Sequence, residues 1–172
     1  ILISSNLERL IYRIAGNNAA KNAELMTSLK SEGKYKITDD MKAQLADFYG
    51  NYASEEETAA IIKKIYEETG YVMDTHTAVA ASVYEKYQKE TSDTTKTVIA
   101  STASPYKFSG SVLAAIGKDT NADEFGLVDE LAEVSKIPVP ASLAALKDKE
   151  VRFTKVIDKA DMKDYIYSAL GI

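Results

Sequence analysis

The sequence predicts an α/β fold that is rich in helix and has few, short strands, on three observations. Apolar residues recur at helical spacing behind capping signals, as in Ser54-Glu55-Glu56-Glu57 followed by Ala59, Ile62, Ile65 and Tyr66. Glycines stand where such stripes end, at Gly16, Gly33, Gly50, Gly70, Gly117 and Gly171. One run, Val98-Ile99-Ala100, reads instead as a strand buried on both faces, as in a parallel sheet. That balance suits one lobe of an α/β protein rather than a complete sheet.

Along the chain, Leu2-Ile3-Ser4-Ser5 reads as a strand end, and Ile1 in place of an initiator methionine gives the expectation that the chain starts inside a longer protein. Ser5-Asn6-Leu7-Glu8 has capping-box form, and Leu7, Leu10, Ile11 and Ile14 follow at helical spacing, so residues 6–15 are expected to be helix. Asn17 and Asn18 restart a helical stripe carrying Leu25, Met26 and Leu29, which Gly33 stops. Thr38-Asp39-Asp40 opens a third helix with two acids in its first turn, where the macrodipole favours them; it carries Met41, Leu45 and Phe48 inward until Gly50. The helix from Ser54 runs to Gly70. Tyr71-Val72-Met73 is short and extended, and Asp74 or Thr75 caps a helix with Ala78, Val79, Val83 and Tyr84, placing His76 in its first turn.

The polar stretch 90–96 is a loop into the expected strand 97–101, after which Ser109 caps a helix through Ile116. Asn121-Ala122-Asp123 begins a helix with Phe125, Leu127, Val128 and Leu131, and Ile137-Pro138-Val139-Pro140 interrupts any helix. Residues 141–146 form a short helix, 151–157 an edge strand, and 158–161 lead into a last helix to Leu170.

Composition narrows the function classes. At 172 residues and 45% hydrophobic, the chain holds one core, as a domain or as part of a larger one. Its net charge of −5, with acids and bases interspersed, offers no basic stripe for nucleic acid. Absence of cysteine removes disulfides, thiolate catalysis and zinc ribbons, and the single histidine, His76, argues against a histidine-based metal site. No apolar stretch approaches the roughly 20 residues of a membrane helix, and no signal-peptide pattern opens the chain. The expectation is a cytoplasmic protein without a membrane partner.

Chemistry concentrates in Ser101-Thr102-Ala103-Ser104-Pro105-Tyr106-Lys107-Phe108, where the apolar run stops in hydroxyls, a proline and a lysine. Ligands of parallel sheets sit outside the carboxyl ends of strands, so Ser101, Thr102, Ser104 and Lys107 would point into a crevice. This segment resembles the S-T-A-x-P-x-K-F signature of the threonine synthase family, pyridoxal 5'-phosphate enzymes of the tryptophan-synthase-β-like group (fold type II). Asp74-Thr75-His76-Thr77-Ala78-Val79 is similar to that family's D-P-H-T-A-V segment, with Thr75 where the pattern has proline. Ser4-Ser5-Asn6-Leu7-Glu8-Arg9-Leu10 resembles its S-S-N-x-E-R-L segment. The match spans residues 1–116 and corresponds to the last third of the longer, bacterial and fungal enzymes.

The resemblance implies that Thr102, with Ser101 beside it, contacts the cofactor's pyridine nitrogen. The residues alone favour a threonine bonded to nearby backbone at a strand end. By the same resemblance Lys107 and His76 bind substrate; the plainer alternatives are a solvated turn lysine and a helix-start histidine with structural hydrogen bonds. Asp74 reads as an N-cap rather than a catalytic acid. Ser4, Ser5 and Asn6 read as capping, and Arg9 and Arg13, one turn apart, as a solvated face. The family's Schiff-base lysine belongs to an S-F-K-D-type motif lying upstream; no such motif, and no cofactor-phosphate loop, occurs here, so no catalytic residue is assigned.

The expected organisation is one C-terminal fragment of a larger enzyme, residues 1–117 facing cofactor and substrate and 118–172 forming a helical extension. The complete enzyme would convert O-phospho-L-homoserine and water to L-threonine and phosphate, with the missing N-terminal lobes of the same chain as partner and the fragment alone inactive. Two alternatives are a related pyridoxal-phosphate-dependent serine or threonine dehydratase, and a stand-alone helical interaction domain without enzymatic activity.

Overall fold

The computed structural model describes residues 3–172, and among them every regular element is helical. In chain order these are α1 (Ser5–Ile14), α2 (Ala19–Glu32), α3 (Asp39–Ala43), α4 (Glu55–Thr69), α5 (Thr75–Thr91), α6 (Ser109–Ala115), α7 (Glu124–Ser135), α8 (Ala141–Ala144) and α9 (Met162–Leu170). Turns of 3₁₀ helix occupy Pro105–Phe108 and Lys159–Asp161.

The expected α/β class is therefore corrected to an all-helical one. A strand exists only where a second strand completes its hydrogen-bond ladder, and no segment among the described residues pairs with 97–101. Val98 is 90% exposed, and within the apolar run Ile99 alone packs against the core. The edge strand expected at 151–157 is also absent, with Val151, Phe153 and Val156 at 73%, 82% and 94% exposure. Of the strand end expected at 2–5, Leu2 lies outside the described residues, as does Ile1. Ile3 and Ser4 form no strand, and Ser5 begins α1.

Local chemistry sets the helix starts. Ser4, one residue ahead of the expected cap, accepts from the Leu7 N–H at 3.3 Å; Asn18 accepts from Lys21 N–H at 3.0 Å and Thr38 from Met41 N–H at 3.3 Å. At α4 the box is reciprocal: Ser54 Oγ accepts from Glu57 N–H at 3.2 Å while Ser54 N–H donates to Glu57 Oε2 at 2.8 Å. Gly70 ends α4 at φ 74°, in the left-handed region where a Cβ is strained, and its N–H donates to Tyr66 O. α3 stops at Ala43, short of the expected Gly50, leaving Phe48 58% exposed.

α5 and α6 both pack on α4, and α7 packs on α6. Their shared core takes Ile61 and Ile62 from α4, Val72 and Met73 from the buried link, Ala78 and Ala81 from α5, Tyr106, Val112 and Leu113 from α6 and the turn before it, and Val128 and Leu131 from α7. Leu113, Leu131 and Ile62 are sealed from water, each worth roughly 1.5–3 kcal/mol of transfer free energy. A smaller cluster of Ile11, Leu25 and Met41 joins α1, α2 and α3. α9 buries none of its residues, leaving Met162, Tyr165, Ile166 and Leu170 exposed.

Candidate functional site

The buried link Val72-Met73 delivers Asp74 to the start of α5, where it is 3% exposed. One carboxylate oxygen caps the helix, Oδ1 accepting from His76 N–H at 2.8 Å and from Thr77 N–H at 3.2 Å. The other, Oδ2, accepts from the Thr77 hydroxyl. Burial pushes the Asp74 pKa up, but the hydrogen bonds from the Thr77 hydroxyl, the Thr77 and His76 amides and the His76 side chain outweigh it. The carboxyl is held below its usual value and is ionised at neutral pH.

Ser101, 27 residues away in sequence, closes on this pair. Its Oγ lies 3.2 Å from Thr77 Oγ1, 3.5 Å from Asp74 Oδ2 and 3.5 Å from the Ala103 carbonyl. Segment 97–104 is irregular, yet Ile99 in the core and Ser101 on the α5 cap tie it down at two points. Thr102 follows, exposed, and no hydrogen bond among the described residues engages its hydroxyl.

The turn Pro105–Phe108 sets the next side chains. Ser104 caps it by accepting from Tyr106 N–H at 3.3 Å, and Pro105 supplies a suitable first residue. Tyr106 turns inward, 6% exposed, and its hydroxyl donates to the Ile137 carbonyl, clamping the turn to the segment after α7. Lys107 and Phe108 therefore face outward. Ser109, expected as a cap, is the first residue of α6, and its hydroxyl bonds back to the Tyr106 carbonyl at 3.3 Å.

Phe108 gathers the two basic candidates. The His76 ring stacks on it at 5.8 Å between centroids and 25° between planes, and the Lys107 ammonium lies 5.7 Å from the Phe108 centroid. His76 Nδ1 is 3.3 Å from Asp74 Oδ1. The cleft beside them, about 330 Å³, is lined by Ala53, Glu55, Thr58, Thr75, His76, Val79, Phe108 and Ser111. Its α4 wall is braced from α5: Lys86 Nζ lies 2.8 Å from both Glu57 oxygens and donates to the Tyr52 carbonyl at 2.8 Å. The hydrogen bond from Lys86, then that from the Ser54 amide, holds the Glu57 pKa below its usual value.

The structure thus joins Ser101 to the cap of α5, and His76 and Lys107 to one aromatic ring, while Thr102 stands free. Sequence reasoning missed Thr77 as the bridge and Phe108 as the plate. The short spacing Asp74-x-x-Thr77 was a visible sign of the first; no local signal shows the second. No helix of the described residues is long and apolar enough to cross a membrane.

Residues 77–166 match the protein family described as threonine synthase, C-terminal. The chain is 30% identical over 156 residues to threonine synthase of Pseudomonas aeruginosa, covering 90% of this chain and 29% of that protein. The crystal structure of threonine synthase from yeast superposes with a TM-score of 0.70 at 29% identity, covering 99% of this chain and 35% of that one. The structure of pyridoxal-phosphate-bound threonine synthase from Brucella melitensis superposes with a TM-score of 0.57 at 29% identity, over 78% of this chain and 27% of that one. The chain thus spans about a third of the length of these relatives.

Proposed function

The chain belongs to the threonine synthase family, whose C-terminal region it represents, and on that premise we propose that it forms one wall of the site at which O-phospho-L-homoserine and water become L-threonine and phosphate. The observation that carries this reading is the Ser101-Thr102 pair: Ser101 is committed to the α5 cap, and Thr102 beside it is exposed with an unengaged hydroxyl.

The side chains present fit one edge of pyridoxal phosphate. A ring nitrogen needs a hydrogen-bond donor, and the Thr102 hydroxyl has a proton to give. When bound, the cofactor supplies an electron sink for negative charge next to its attachment point, and a neutral hydroxyl on its nitrogen makes that sink milder than a carboxylate would. The phosphate cradle and the attachment lysine of the family have no counterpart in this chain, so the rest of the cofactor's contacts come from the other lobes.

Substrate binding falls to the two groups gathered on Phe108. The Lys107 ammonium makes no ion pair among the described residues and offers a point charge to the substrate phosphate. His76, fixed by Asp74 on one side and stacked on Phe108 on the other, presents its remaining edge to the cleft as a hydrogen-bonding group.

The exposed apolar groove that includes Phe48, Tyr49, Tyr84 and Val98, and the exposed face of α9, pack against the remaining lobes of the enzyme in this reading. Residues 1–117 face the site and 118–172 form the helical extension.

The test is phosphate release from O-phospho-L-homoserine by the protein carrying this chain and by its Thr102→Val variant, both supplied with pyridoxal phosphate. Losing one neutral hydrogen bond lowers turnover about fivefold to tenfold, with helical content unchanged. Equal turnover would overturn the assignment of Thr102.

A further inference from the structure

Capping α5 requires one acceptor oxygen, and Asp74 uses Oδ1 for it, bonded to both the His76 and Thr77 amides. Those two bonds prevent the carboxylate from rotating, which fixes Oδ2 on the far side, facing Thr77 and Ser101. An ionised carboxylate can only accept, so the single Thr77 hydroxyl proton goes to Oδ2. Thr77 Oγ1 is then left with lone pairs toward Ser101, 3.2 Å away, and Ser101 must be the donor between them. Its other acceptors within reach, Asp74 Oδ2 and the Ala103 carbonyl, also belong to the protein. Every acceptor within reach of the Ser101 hydroxyl among the described residues thus lies on the α5 cap or on its own segment.

We propose that Asp74 and Thr77 are positioning residues that latch Ser101 with its proton turned inward, so that of the neighbouring hydroxyls Ser101 and Thr102 only Thr102 is presented outward as a donor. The latch links the start of α5 to an otherwise irregular segment, and all its members except Ser101 are buried, with Asp74 at 3% and Thr77 at 6% exposure. Its consequence for the cofactor rests on the reading given under Proposed function; the latch itself does not.

The chain has no cysteine, so Ala100→Cys, at an exposed position next to Ser101, gives a single site for a nitroxide label. Thr77→Val removes the bridging hydroxyl at constant shape. It raises the mobile fraction of the label about fivefold, the change that one lost hydrogen bond produces. Thr77→Ser restores the hydroxyl and the immobile spectrum, and Asp74→Asn, which keeps the cap, loosens the label as Thr77→Val does. A label as immobile in Thr77→Val as in the parent overturns the latch, and so does a Thr77→Ser label as mobile as Thr77→Val. In the protein carrying this chain, Thr77→Val weakens pyridoxal phosphate binding about fivefold, but less than about twofold when Thr102→Val is already present, because the two act through one contact. Additive losses overturn the link to Thr102. A loosened label together with no cofactor binding by the parent protein retains the latch and removes the cofactor reading instead.

Discussion

Replacing Asp74 by alanine tests how tightly the fold and the site share one residue. The substitution deletes the N-cap of α5, which costs about 1 kcal/mol. It also deletes a charged acceptor of the buried Thr77 hydroxyl, worth about 1.5–3 kcal/mol. The sum is about 3 kcal/mol, and for a chain of this size each kcal/mol lowers Tm by about 2–4 °C, so a drop on the order of 10 °C is expected. Asp74→Asn keeps the cap but puts an amide donor where Oδ2 accepts the Thr77 hydroxyl, so its cost falls between those of the parent and Asp74→Ala.

The dependence on pH follows from the lowered Asp74 pKa. The unfolded chain takes up the proton first as pH falls, so the stabilisation is complete above the unfolded value. It is lost progressively as pH drops below 3.8 and through the folded value. Urea titrations of the chain and the two variants at about pH 6 and about pH 3 would show the gap between parent and Asp74→Asn narrowing in acid. A cost of Asp74→Ala below about 0.5 kcal/mol, or a gap that does not change with pH, would refute the reasoning.

Three further outcomes are expected. Leu131→Ala, at a position with no exposure between α6 and α7, costs about 2–5 kcal/mol in urea unfolding, since the surroundings cannot fully close the void. Gly70→Ala meets no atom within 4 Å but must adopt φ 74°, so thermal unfolding shows a loss of about 1–2 kcal/mol from backbone strain alone. In the protein carrying this chain, Lys107→Met raises KM for O-phospho-L-homoserine about tenfold to a hundredfold while kcat changes little, read from initial rates of phosphate release.

The helix starts were legible because a cap is a local device: Asn18, Thr38, Ser54, Asp74 and Asp123 each bond an amide two or three residues ahead. The strands were misread for the opposite reason. Val98-Ile99-Ala100 has the residue types of a strand, but a strand is completed by a distant partner, which the described residues do not supply. The expected core face also failed where packing ran out. Leu7 and Phe48 follow helical spacing yet remain 48% and 58% exposed, because no element among the described residues covers them. In the candidate site, the S-T-A-S-P-Y-K-F segment was singled out from its residue types, whereas its internal division of labour needed coordinates. Tyr106 faces inward and Lys107 outward because the 3₁₀ turn and the Ile137 carbonyl orient them. The Ser101 contact to Asp74 and the His76 stack on Phe108 cross 27 and 32 residues, beyond the reach of any spacing rule.

The most direct measurement is product stoichiometry with O-phospho-L-homoserine and pyridoxal phosphate, for the protein that carries this chain and for the 172 residues alone. Phosphate and L-threonine released in equal amounts by the former, and neither by the latter, is the predicted result. Phosphate without threonine, or no turnover by a folded protein that has taken up cofactor, would contradict the proposed reaction.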